Sequence, residues 1–512
     1  MLRLLSYNHL FAYVVVFLIT VAVRLPSFHP NYFEQDESFY LTCGQKIVDG
    51  GVQYVDTWDN KPPILVWLYA GFVWVFASKA IIAIRVFTVI YVFITAIMLN
   101  QFVVDNKLIE KFSLLPAFLY IFLTSVPWYA QELNGELLIN LPVMVAVFQI
   151  LNLSDRSSKN NVFLFWSGAL LGLCFMIKYQ SVFLFLGLIG GYLTLQPPKL
   201  TEIFSILAGF LLSLGITIGI IYLTGAIEAY WDIGLLYNLD YVMIGHDDSE
   251  NSSVLFNLGQ YVQLWGPFLL AALIAAAHFR LSYFTNSIRL RKVEVFLLYW
   301  FGAALLTVVI GGGRLYLHYF YLMVPPIAIY ASKFFEMRIS PWLRQLAFIA
   351  AMAVPMYTFG IFLISAFPET FNQADEYLEP NGWVDGFRQR LNKPHPLEQY
   401  IDKSRVQNGI LVMDYEPVIY ARLGLPCATR YTNFSMAKYK LAAFRAHTET
   451  GLISHTESLV ETYRGFQDEL PEYIIDPKDL FPMLREQIPI LFAPYEARLV
   501  TVDDRSYRIY YR

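Results

Sequence analysis

Eleven apolar stretches near bilayer-crossing length divide the first 366 residues, and they restrict the fold more than any other feature. They run over 9–25, 81–104, 112–130, 138–153, 162–177, 181–195, 203–223, 256–278, 293–310, 318–335 and 345–366. A helix needs about twenty such residues to cross the hydrocarbon core. The chain is 56% hydrophobic and only 15% charged, against about a quarter charged in soluble domains. These numbers predict a polytopic α-helical membrane protein with roughly 11 transmembrane helices. The first stretch is followed by Arg24-Leu25-Pro26 rather than a small-residue cleavage site, so it reads as a retained span. A net charge of −4 gives no electrostatic case for nucleic acid. Cys43, Cys174 and Cys427 are too few for a disulfide framework and lack metal-ligand spacing.

Sidedness follows from the basic residues. Residues 62–77 are apolar but short and proline-led, which predicts a helix dipping into the outer leaflet rather than a crossing. With that reading, Lys107, Lys111, Arg156, Lys159, Lys199, Arg280, Arg289, Arg291, Lys292, Arg338 and Arg344 all fall on one side. The positive-inside rule makes that side cytoplasmic. Segment 224–255 has no Lys or Arg but six acids, and falls on the other side. The expected organisation is a membrane domain over 1–366, with a large first outer loop at 26–80, and an outward-facing domain over 367–512. The protein would lie in the cell membrane as a multi-pass chain. The tail shows strand-like runs at Ile410–Met413, Tyr473–Ile475 and Arg498–Val502, with a helix-compatible stretch at Met436–Thr448. Strands alternating with helices predict a small soluble α/β domain.

Chemistry concentrates in the outer loop between Pro30 and Pro63. Placed on a helix, residues 36–49 put Ser38, Thr42, Gln45, Lys46 and Asp49 on one polar arc, with Asp36 and Glu37 in the apolar sector. This predicts an amphipathic helix lying on the membrane with two carboxylates toward its apolar side. Burial and a like-charged neighbour raise a carboxyl's pKa and suit it to act as a general base. The plainer reading is that acids in a first turn answer the helix dipole. Asp59-Asn60-Lys61-Pro62-Pro63 sets a cation at the head of the dipping helix, where a lysine can hold a phosphate or simply reach for water. Glu136 sits in the short loop between spans, where an acid next to hydrocarbon is costly; Glu132 reads as the solvated one. Gly311-Gly312-Gly313 can form an anion-binding nest, and Arg314 and His318, four apart, would share a helix face with Tyr319 following. Lys178 reads as a lysine reaching for the interface, and His246 as solvated surface.

An outward site with an acid and several cations suggests transfer from a phosphorylated donor. A polyprenyl-phosphate sugar offers its head group at the outer face while its tail lies among helices. Asp36 would take the proton of an acceptor hydroxyl, while Lys61 and Arg314 stabilise the departing phosphate. One base and no protein nucleophile imply inversion at the anomeric carbon.

The order Asp36-Glu37 after the first span, Gly50-Gly51, Tyr54-x-Asp56 and Lys61-Pro62-Pro63 resembles the family-39-like GT-C glycosyltransferases. These include protein O-mannosyltransferases and the aminoarabinose transferases acting on lipid A. Arg314-x-x-x-His318-Tyr319-Phe320 resembles the family's late-span motif, and Glu136 with Pro142 its second-loop acid, which is usually Asp. The resemblance covers roughly 9–335 and implies a GT-C type fold, Asp36 as the catalytic carboxylate and Glu37 as its neighbour. It implies catalytic roles for Asp36, Glu37 and Glu136, and substrate or phosphate binding by Asp59, Lys61, Arg314, His318 and Tyr319. Whether a divalent metal takes part varies across the fold. The implied partners are a polyprenyl-phosphate-sugar donor, a lipid, glycan or protein acceptor, and the bilayer. Rival readings are a polysaccharide ligase or polymerase with a diphosphate-linked donor, a secondary transporter or lipid flippase, and a non-catalytic scaffold. Transporters place ionisable groups on interrupted, repeated helices near the midplane; here the acids lie in loops and no repeat is visible.

Overall fold

Backbone in lipid must satisfy its own hydrogen bonds, so the apolar runs of this chain fold as helices. The computed structural model describes residues 7–28, 34–109, 114–125, 131–151, 159–195, 199–238, 248–282, 288–310, 315–337, discontinuous positions between 340 and 360, 396–413, 416–430, 432, 470–477, 493–502 and 505–512. The helices are α1 (Tyr7–Arg24), α2 (Gln35–Val48), α3 (Pro63–Phe76), α4 (Ala80–Asp105), α5 (Leu115–Leu123) and α6 (Gly135–Leu151). Then come α7 (Lys159–Ile177), α8 (Val182–Leu195), α9 (Leu200–Leu223), α10 (Asp248–Ser282), α11 (Ile288–Ile310) and α12 (Val324–Glu336). Among the described residues six stretches are long and apolar enough to cross a bilayer: Leu10–Phe28, Pro63–Asp105, Asn160–Ile177, Leu200–Leu223, Leu258–His278 and Lys292–Ile310. Gly135–Leu151 and Tyr179–Leu195 are shorter apolar helices. The chain is a polytopic helical membrane protein with a small C-terminal sheet.

It divides into two units. The first comprises Met1–Tyr32, Arg85–Ile218 and Gly245–Val384; the second comprises Phe33–Ile84, Gly219–Ile244 and Asp385–Arg512.

In the first unit helices meet through small residues, as is common in lipid, where close backbone approach supplies the packing. A Cβ added at Gly209 would lie 1.9 Å from the Phe165 carbonyl oxygen, and one at Gly168 2.0 Å from that of Ile206. No other residue fits where α7 and α9 cross there. Arg24, at the end of α1, is fully buried. Its guanidinium donates to the carbonyls of Thr124 (3.2 Å) and Gln131 (2.5 Å) and to Ser125 Oγ (3.3 Å). One arginine thus ties both ends of segment 124–131, which leads into α6. The expected span over 318–335 is broken. A 3₁₀ turn, Leu317–Leu322, precedes α12, and Pro325 and Pro326 open the α-helix where missing N–H groups do least harm. The expected span 345–366 is described only at isolated positions up to 360.

In the second unit α3 has 14 residues, about 21 Å of helix, too short to cross by itself. Ala77, at φ 45 and ψ −124, turns the chain before α4. Helix α2 lies on α3 so closely that a Cβ at Gly44 would meet Ala70 N at 2.8 Å. The C-terminal part holds strands β1 (Ile410–Val412), β2 (Tyr473–Asp476), β3 (Glu496–Val502) and β4 (Arg505–Tyr511), in sheet order β1-β2-β4-β3. β1 and β2 are parallel and the other pairs antiparallel. Helix α13 (Val418–Leu423) covers the sheet through Ile419, Tyr420 and Leu423, packed with Ile410, Val412, Ile475 and Ile509. Three of the strands match the runs read in the sequence; the predicted helix over Met436–Thr448 lies outside the described residues.

Candidate active site

The second unit brings Asp36, Glu37, Asp59 and Lys61 onto adjoining elements. Glu34 caps α2, its carboxylate accepting from Asp36 N at 2.9 Å. This starts the helix so that Asp36 and Glu37 fall in its first turn, where the dipole favours anions. Lys61 Nζ lies 3.2 Å from Asp36 Oδ2, donates to Tyr40 Oη at 2.5 Å, and sits 4.4 Å from the Tyr40 ring centroid. Both charged side chains remain about a quarter to a third exposed, at 26% for Asp36 and 30% for Lys61, so a substrate can reach them. Glu37 is fully buried and accepts from Tyr69 Oη at 3.5 Å.

The loop between α2 and α3 is shaped to hold Lys61. Asp56 Oδ2 accepts from Val52 N at 2.6 Å, and Asp59 Oδ1 from Lys61 N at 3.0 Å. Tyr54 adopts φ 70, a left-handed conformation that a bulky residue enters only under constraint. Its hydroxyl donates to the Lys61 carbonyl at 2.8 Å, and its buried ring packs on Tyr230. The strain is held where Lys61 needs fixing, as in many functional loops. Asn238 clamps the same turn by donating to the Asn60 carbonyl at 2.6 Å.

One expectation needs correction here. Helix α2 does not lie open on a membrane: α3 and α13 cover it, and Ser38 and Thr42 of the supposed polar arc are buried. Their hydroxyls instead donate to carbonyls four residues back, which lets them sit inside. Asp59 is also buried, and its Oδ1 is taken up by the turn through Lys61 N. Burial pushes its carboxyl up to about 6; Lys61, by charge and by its backbone N–H, pulls it down, and Asp36 adds to the rise.

A second cluster forms in the first unit. Glu136, in the first turn of α6, is paired with Lys178 Nζ, and His318 Nε2 lies 3.8 Å from the same carboxylate oxygen. Lys178 Nζ also stands 3.7 Å from the Tyr319 ring centroid. Glu136, His318 and Tyr319 are therefore neighbours. Lys178, read from sequence as a lysine reaching for the interface, is the cation that joins them. The one local signal is a lysine directly after the apolar end of α7, which closes at Ile177. Glu132 is buried rather than solvated and accepts from Asn134 Nδ2 at 3.0 Å. His318 lies on the 3₁₀ turn, with Tyr316 extended and Leu315 at φ 49 before it, and not on an α-helix. Arg314, the three preceding glycines and His246 lie outside the described residues. Among the described residues no group of three or more His, Cys, Asp or Glu could hold a metal ion.

A family model described as "Family of unknown function (DUF6427)" matches residues 61–367. The chain belongs to this family. The match starts at Lys61 and leaves Asp36 and Glu37 before it. No curated protein matches the chain. Among solved structures it is similar to ArnT from Cupriavidus metallidurans bound to undecaprenyl phosphate, with TM-score 0.57 and 12% identity over 99% of this chain and 98% of that one. ArnT from the same organism in the apo state gives TM-score 0.56 and 13% identity over 98% of each chain. The fold is therefore the GT-C fold that the sequence resemblance implied.

Proposed function

We propose that the protein is an inverting membrane glycosyltransferase that takes a sugar from a polyprenyl-phosphate carrier and passes it to an acceptor hydroxyl at the outer face. The observation behind this reading is the Asp36–Lys61 pair: a reachable carboxylate and a reachable ammonium 3.2 Å apart on a braced loop, in a fold shared with a protein that binds undecaprenyl phosphate. Asp36 accepts the acceptor's proton as its oxygen bonds to the anomeric carbon. The bond from that carbon to the carrier phosphate breaks on the opposite side, and the phosphate leaves with the electron pair. Lys61 stabilises its growing charge, which a preorganised cation does at no reorganisation cost during the step. The buried Glu37 anchors α2 through Tyr69.

The test is release of labelled sugar from defined carriers by the purified protein in proteoliposomes. Transfer from a monophosphate carrier supports the reading. Transfer only from a diphosphate carrier would favour a polysaccharide ligase, and solute uptake without any donor a transporter; either would overturn it.

A further inference from the structure

Asp36 and Lys61 arrive from two different pieces of chain, the first turn of α2 and the turn before α3. Something must set their separation. Within the second unit one short segment of the C-terminal part, residues 427–430, is bonded to both pieces. On the α2 side, Lys46 Nζ donates to the carbonyls of Thr429 (2.5 Å) and Cys427 (3.4 Å). Cys43 Sγ meets Thr432 Oγ1 at 3.8 Å, and α13 packs on α2. On the other side, Trp58 N, three residues before Lys61, donates to the Arg430 carbonyl at 2.7 Å. The Trp58 ring is buried edge-on to Tyr237, with centroids 4.7 Å apart. The segment is itself held by the sheet: Ile410 N donates to Pro426 O and Ala428 N to Ile410 O, both at 2.9 Å. It works as a splint, with one end in the sheet and its carbonyls spanning the loop.

We infer that Lys46 is a positioning residue, which through segment 427–430 fixes the distance between the chain pieces carrying Asp36 and Lys61. Its place on the polar arc of α2 suggested a solvated lysine. Its ammonium is instead taken up by two main-chain carbonyls, an arrangement that serves geometry, since no charge is neutralised by it. The C-terminal part is then a component of the catalytic loop, and not an appended module. The inference deepens the proposed function and rests on it for the kinetic readout alone.

The test uses the full chain in nanodiscs with a labelled polyprenyl-phosphate sugar and the variants Lys46→Met and Lys46→Arg. Small misplacements of a reacting group reduce rate steeply, so Lys46→Met is expected to lower kcat about 10- to 100-fold. KM for the donor stays put, because Lys46 touches no substrate, and Lys46→Arg, which can still reach both carbonyls, recovers most of the rate. Hydrogen exchange at the Trp58 amide accelerates in Lys46→Met and returns to the wild-type rate in Lys46→Arg. Wild-type kcat in Lys46→Met, or a rise in KM equal to the loss of rate, overturns the inference. Where Lys46→Met does not accumulate, the wild type decides: Trp58 should exchange as slowly as Ala428, and exchange at the rate of open loops overturns it. The exchange readouts need no turnover. A wild type that transfers nothing therefore defeats the proposed function while leaving the splint to be judged separately.

Discussion

Substituting Gly44 by alanine tests the link between helix packing and the Asp36–Lys61 pair. The new Cβ would stand 2.8 Å from Ala70 N and 3.1 Å from Ala70 Cα, and these are backbone atoms that cannot swing aside. Ordinary contact begins at 3.4 Å, so α2 and α3 must part by about 0.6 Å. Overpacking of this kind costs about 1–3 kcal/mol, offset by up to about 1 kcal/mol from alanine's better helix propensity. The net loss of stability is modest. The effect on activity is larger, because Asp36 lies on the moved helix and Lys61 two residues ahead of the other. A shift approaching 1 Å at reacting groups lowers rate by about 10- to 100-fold. Gly71→Ala is the control, since its Cβ would meet nothing within 4 Å. Thermal melts and sugar-transfer rates of both variants in nanodiscs check this. A Gly44→Ala protein matching Gly71→Ala in both would show that the α2–α3 contact does not set the site.

Asp59→Asn should change how stability depends on pH. The Asp59 carboxyl is raised from 3.8 to about 6 by burial, so the folded state holds its proton more tightly than the unfolded chain does. Stability therefore falls as pH rises from about 4 to about 6, by roughly 3 kcal/mol once ionisation is complete. Asparagine keeps an acceptor for Lys61 N and should flatten that slope, raising the melting temperature at pH 7.5 more than at pH 5; an unchanged slope would contradict it. Glu136→Gln leaves the Lys178 ammonium without its carboxylate and should destabilise by about 3–5 kcal/mol. Adding Lys178→Met should recover part of that loss, and strict additivity in the double-mutant cycle would show the two do not interact.

The apolar architecture is legible in the sequence because lipid allows one solution for a long apolar run. α1, α4, α7 and α9 fall within a few residues of the spans read from hydropathy. The outer-loop helix is legible too, since Glu34, Asp36 and Glu37 announce its start. What one-dimensional reading misses is what covers each face. Ser38 and Thr42 look solvent-facing by periodicity, yet satisfy themselves on their own helix backbone and disappear under neighbouring elements. Lys178 lies 42 residues from Glu136, a pairing no local pattern contains. Strand β4 is legible only in part: Tyr507 and Ile509 flank Arg508, but Tyr510 is buried as well and blurs the period of two. The break before His318 was harder to see, because Leu315 enters the left-handed region without a glycine.

The proposed transfer requires Asp36 to take a proton from the acceptor. The most direct measurement is the single-turnover rate of sugar transfer from a labelled polyprenyl-phosphate donor, comparing wild type with Asp36→Asn. Asparagine keeps the shape of the side chain and removes the base, so the rate should fall by about 100-fold or more with folding and donor binding retained. Equal rates in the two proteins would contradict the account.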